Sequence, residues 1–133
     1  MGPTELANLA RTGAIKPAAA DPQETATLIA TGDAKLLDAG NTALTTESRF
    51  DLAYGAAHAF AVAALRRAGY RSEHRVTVFQ TTAHTLATPN TTIRVLLKAH
   101  GDRNAIEYDG TMQADSRLVP DLIAAAAALR AAL

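Results

Sequence analysis

Between residues 45 and 68 the chain sets apolar side chains around most of a helix's circumference. Phe50, Ala53, Tyr54, Ala57, Ala61, Ala64 and Leu65 form one stripe at three- and four-residue spacing, and Leu52, Ala56, Phe60 and Ala63 form a second. A helix with two apolar faces needs neighbours on both, so this one is expected at the centre of a helical assembly. Hydrophobic residues make up 48% of the chain and aromatics only 5%, so the apolar content is mostly alanine with Leu, Val and Ile. Alanine is the best helix former and lets helices approach closely. The 133 residues suffice for one modest core. An all-α fold follows.

The remaining segments fit that class. A short helix is expected over residues 4–11, stopped at Gly13 and followed by an alanine- and proline-bearing linker to residue 20. The bundle domain is expected over residues 21–133. Asp21-Pro22-Gln23-Glu24 is a helix start, with Asp21 as cap, Pro22 at the first helical position and Glu24 as capping-box acid. This helix runs toward residue 39, with a bend possible at Gly32 and a stop at Gly40-Asn41. Gly69 closes the central helix. A helix over 73–87 should bury Val76, Phe79, Ala83 and Leu86. After Pro89-Asn90, Thr91 or Thr92 can cap a helix carrying Ile93, Leu96, Leu97 and His100. The last helix is expected over 115–132, with Leu118, Leu122, Ala126, Leu129 and Leu133 in line and Pro120 tolerated in its first turn. Short connections between four main helices predict an antiparallel, up-and-down four-helix bundle with one or two further N-terminal helices.

Thirteen basic and thirteen acidic residues leave no net charge, which excludes a protein that holds nucleic acid by bulk electrostatics. Any such contact must be local, and ten of the basic residues are arginine, the side chain suited to bidentate phosphate contacts. The absence of cysteine excludes disulfides, thiolate metal sites and cysteine nucleophiles. No secretory signal is visible at the N-terminus. The longest apolar run, residues 122–129, falls short of the roughly 20 residues that span a bilayer. A cytoplasmic protein without membrane association is expected. There is no Gly-rich phosphate loop, Gly-x-Ser-x-Gly or His-Glu-x-x-His, and neither cofactor nor metal is implied.

Chemistry concentrates on one helix. If it runs on past Gly101, Leu96, His100, Arg103 and Glu107 share a stripe, and the core-facing seam turns ionisable within two turns. A partly buried Arg103 needs a partner: Glu107, Asp102, a phosphate or a second subunit. The structural alternative is an i,i+4 pair of Arg103 with Glu107, contributing at most a few tenths of a kcal/mol, with Gly101-Asp102 ending the helix. His58 reads first as a hydrogen-bonded core histidine, and so does His100, although His100 lies one turn before Arg103. His74 and His84 have no metal-ligand spacing. Convergence of His58, His84 and His100 is left open. The basic cluster Arg66, Arg67, Arg71 and Arg75 reads first as a complement to a helix C-terminus, and otherwise as a patch that steers RNA.

The segment Val95-Leu96-Leu97-Lys98-Ala99-His100-Gly101-Asp102-Arg103-Asn104, with an apolar residue and a polar turn after it, resembles the catalytic-helix region of HEPN proteins. The ordered combination of helices over residues 21–132 extends the likeness. The resemblance implies a helical bundle that pairs as a homodimer, acts on RNA or a nucleotide, and works beside a nucleotidyltransferase-type or antitoxin partner in toxin and defence systems. It also implies metal-independent endoribonuclease chemistry, in which the RNA 2′-hydroxyl attacks the adjacent phosphate. In the family signature an Arg and a His are separated by four to six residues, the first often Asn. Arg103 and Asn104 match, Arg103 toward the phosphate. The histidine positions hold Tyr108, Asp109 and Gly110 instead, and no histidine follows His100. Tyr108, with an ordinary pKa near 10, is a poor base at pH 7 but can donate to phosphate or stack on a base. His100 is the replacement by position. The implied site is Arg103, Asn104, Tyr108 and His100, with a helical dimerisation or interaction protein as the non-catalytic alternative.

Overall fold

A computed structural model describes residues 2–109 and 118–133, with the backbone alone described over 105–109. Among the described residues there are six helices: α1 (Gly2–Arg11), α2 (Pro22–Ala39), α3 (Thr46–Arg67), α4 (Arg75–Thr85), α5 (Asn90–Asp109) and α6 (Leu118–Ala132). Two residue pairs form a small antiparallel ladder, β1 (Lys16–Pro17) with β2 (Tyr70–Arg71). The fold is all-α, as the alanine-rich periodicity predicts. No helix of the described residues is long and apolar enough to cross a membrane.

The doubly apolar helix is central: α3 packs against α2, α4, α5 and α6. Phe50, Tyr54 and Phe60 from α3 meet Phe79, Leu96, Leu122 and Leu129 in one buried cluster. Thr45 caps α3, its hydroxyl accepting from the Ser48 backbone N–H at 3.2 Å. Arg49 ties this end to α2 by donating to the Ala39 carbonyl at 2.9 Å, and Arg130 of α6 reaches Asp33 of α2 at 2.7 Å.

The start of α2 follows expectation at Asp21, whose carboxylate accepts from the Gln23 and Glu24 backbone N–H groups. Glu24 departs from it and pairs with Arg66 of α3 at 2.5 Å. Helix α2 runs unbroken through Gly32 to Ala39. Gly32 is buried, and a Cβ there would run into the ring of Phe60, so the glycine permits close packing of α2 on α3.

The buried face of α4 differs from the one read in the sequence. Val76 stands 37% exposed, while Val78, Phe79, Thr81 and Thr82 are buried. The two threonines were not among the residues expected to be buried. Each satisfies its hydroxyl locally, Thr81 donating to the Val78 carbonyl at 2.7 Å and Thr82 to the Phe79 carbonyl at 2.6 Å. Buried hydroxyls bonded in this way leave only their methyl groups to pack. Helix α5 begins at Asn90, ahead of the expected Thr91 or Thr92, and it continues to Asp109 without stopping at Gly101. Residues 115–117 of the expected last helix lie outside the described residues, and Pro120 sits in the first turn of α6. The stretch after α1 is tied down: Ile15 is buried in the main core and β1 pairs with β2.

Replacing Gly32 by alanine should overpack this crossing, because Phe60 is fully buried and its ring has no room to retreat. A loss of about 1–3 kcal/mol of stability is expected in urea denaturation. An unchanged midpoint would show that α2 does not pack this closely.

Candidate functional site

The antiparallel register of α2 on α3 is set by Glu24 beside Arg66 and Lys35 beside Gly55. Along that seam α3 turns Asp51, Tyr54, Gly55, His58, Ala59 and Val62 to one side, a stripe at helical spacing. Leu28, Thr31 and Lys35 of α2 face it. The N-terminal residue of α4, Arg75, and Arg103 of α5 complete a cavity of about 570 Å³. Gly55 allows Lys35 to lie across α3, since a Cβ there would come within 3.1 Å of the lysine's Cδ and Nζ atoms.

Tyr54 organises this space. It is buried to 1% exposure, and Phe79 meets its ring edge-on at a centroid distance of 5.7 Å. The guanidinium carbons of Arg103 and Arg75 lie 5.2 Å and 5.6 Å from the ring centroid. These are cation–π distances, and they hold two arginines of different helices at one aromatic ring. The Tyr54 hydroxyl lies 2.9 Å from His100 Nδ1, and His100 Nε2 lies 3.2 Å from Asn104 Nδ2. If the Asn104 amide donates to Nε2, His100 carries its proton on Nδ1 and donates to Tyr54, whose own O–H then has to find another acceptor. The opposite tautomer with the amide turned reverses every bond.

Electrostatics keep the imidazoles neutral. His58 is pushed down to about 4, first by burial and then by the positive charges of Arg75, Arg103 and Lys35, with His100 adding to them. His100 is lowered as well, by burial first and then by Arg75 and Arg103. Desolvation and like charge act in the same direction on a base. The result is a concave surface with three cations and a neutral imidazole acceptor. It can hold an anion and, at neutral pH, can accept a hydrogen bond at His58.

The residues expected from sequence separate into groups. Arg103 lines the cavity. His100 and Asn104 stand behind Tyr54 as a hydrogen-bonded chain. The side chains of Tyr108 and Glu107 lie outside the described residues, so the proposed Arg103–Glu107 pair does too. Asp102 is paired with Lys98 at 3.2 Å on the solvent side. His58 and His100 converge on the same site, whereas His84 is elsewhere, its Nδ1 4.0 Å from the Glu5 carboxylate of α1. The arginine cluster is divided: Arg66 donates to Glu24 and to the carbonyls of Ala18, Ala19 and Tyr70, Arg71 lies in β2, and Arg75 alone of the four lines the cavity. Lys35, Asp51 and Tyr54 were not recognised as site residues in the sequence, and Arg75 stood out only as one of the basic cluster. The available signal was Asp51 and His58 on one stripe of an otherwise apolar helix, with a glycine between them.

Among the described residues no group of three His, Cys, Asp or Glu side chains is placed to hold a metal ion. In comparisons with known proteins, no family model, curated protein or solved structure matches this chain.

The depressed His58 value has a consequence for stability. The unfolded chain binds this proton near pH 6.5 and the folded chain near 4, so the unfolded state is favoured as pH falls through that interval. Stability to urea should therefore rise from about pH 4 to about 6.5 and level off, as far as His58 is concerned. In His58→Asn this part of the slope should be lost. An identical slope in the variant would mean that His58 titrates normally.

Proposed function

We propose that this chain is a HEPN-like domain that binds RNA or a nucleotide by seating a phosphate in the cavity between α2 and α3. The observation that carries this reading is the gathering of Lys35, Arg75 and Arg103 from three helices around one concave space. Like charges are not brought together in a folded protein without cost, and an anion offsets that cost. The Arg-Asn pair supports the family reading by its position: Arg103 faces the cavity, and Asn104 fixes the histidine that bonds Tyr54. Tyr108 is proposed to add a donor or a stacking surface, and two copies are proposed to pair.

The reading extends to a divergent, metal-independent ribonuclease. In that version a 2′-hydroxyl attacks the adjacent phosphorus, the bond to the 5′-oxygen breaks, and Arg103 neutralises the equatorial oxygens. The signature histidine is absent; His58, neutral and in the same cavity, accepts a hydrogen bond from the attacking hydroxyl, and the hydroxyl proton passes through water to the departing 5′-oxygen.

Binding of a labelled single-stranded RNA at low salt tests the proposal. Affinity should fall steeply with salt, by a slope of about −0.7 per neutralised phosphate. Arg75→Ala and Arg103→Ala should each weaken it by roughly ten- to a hundredfold, the worth of a hydrogen bond to a charged group. Any cleavage should survive EDTA and vanish in Arg103→Ala. Absence of binding at low salt by RNA and by nucleotides alike, or a flat salt response, would overturn the reading.

A further inference from the structure

The cavity has two unlike ends. Lys35 lies against Gly55 and Glu24 against Arg66, so moving from Lys35 to Leu28 along α2 corresponds to moving from Gly55 to Val62 along α3. The charged residues thus fall at the Gly55 end, and Leu28, Ala59 and Val62 form an apolar end. Seven residue steps of helix separate Gly55 from Val62, about 10 Å of axial rise. The volume, about 570 Å³, lies within the range of small-ligand sites.

We propose that the cavity takes a phosphate monoester of nucleotide size, its phosphate between Lys35 and Arg75 and its ring against Leu28 and Val62. The inference rests on the phosphate-binding reading above and narrows it. A strand of RNA threading the cavity would carry a phosphate at each nucleotide, and the apolar end has no cation to meet the next one. At the charged end, no ion pair among the described residues engages Lys35 or Arg75. Two such cations match the double charge of a terminal phosphate better than the single charge of an internal diester. Asp51, the one acid among the described lining residues, is exposed and therefore screened by water. Free mononucleotides and 5′-phosphorylated RNA ends share this chemistry.

Calorimetric titration of the full chain with AMP, 3′,5′-cyclic AMP, adenosine and inorganic phosphate reads the preference directly. AMP and its cyclic diester are nearly equal in size and differ in charge. AMP should bind about tenfold or more tighter than the cyclic form, as charge-assisted bonds to the second negative charge require, and tighter than either adenosine or phosphate alone. Lys35→Gln should reduce the preference for AMP over the cyclic form, and Leu28→Asn should weaken AMP while sparing inorganic phosphate. A dinucleotide RNA bearing a 5′-phosphate, compared with its 5′-hydroxyl form, distinguishes an RNA end from a free nucleotide as the source. Equal affinity for AMP and cyclic AMP, with RNA still bound, would overturn this inference and leave the phosphate-binding reading standing. Failure of RNA, AMP and phosphate all to bind would overturn both.

Discussion

The buried ring of Tyr54 is the contact on which the rest of the site depends. It joins α3 to α4 through Phe79 and to α5 through its bond with His100. It also gives Arg75 and Arg103 an aromatic surface to lie on. A phenol suits this position because its body packs as a hydrophobe while its hydroxyl still finds a partner. Phenylalanine would keep the packing and lose the link to His100 and Asn104. The chain that continues through His100 to Asn104 therefore connects the Arg-Asn pair on α5 to the middle of α3.

The arginines of this molecule show two physical situations. Arg66 is nearly buried and spends its donors on Glu24 and three backbone carbonyls, which is how a structural arginine is satisfied. Arg75 is different: it stacks on Tyr54 beside Arg103 and faces a cavity that also receives Lys35. Burial first, and then the charges of Arg75 and Arg103, depress His58 and His100, so the protein keeps its two local bases neutral where an anion would be welcome. A strongly perturbed histidine such as His58 in a cleft with a specific set of cations is a frequent mark of functional sites.

Much of the fold was legible in the sequence. Alanine-rich stripes at helical spacing announced α3 as the central helix, and Asp21, Thr45, Gly69 and Pro89 marked ends that the structure retains. The face of α4 was not legible, because Thr81 and Thr82 are polar by type but bond their own helix and pack as apolar groups. The β1–β2 ladder is two residues long and leaves no periodicity to detect. In the site, Arg103 and the His100–Asn104 neighbourhood stood out because they are close in sequence. Lys35 and Asp51 did not, and Arg75 was not separable from its basic neighbours, since only the register of α2 on α3 and the placing of α4's first residue bring them to Arg103. Gly32 and Gly55 carry that register, one admitting Phe60 and the other Lys35, and a helical glycine by itself says only that something comes close.

The central claim is that an anion belongs among these cations at Tyr54. Nuclear magnetic resonance of the nitrogen-labelled His58 ring, titrated with and without inorganic phosphate, tests it at the atoms concerned. Without phosphate the ring should titrate at about 4. With phosphate bound, the neutralised field of Arg75, Arg103 and Lys35 should let the midpoint rise. A midpoint that starts in the ordinary histidine range, or one that phosphate leaves unmoved, would contradict the account.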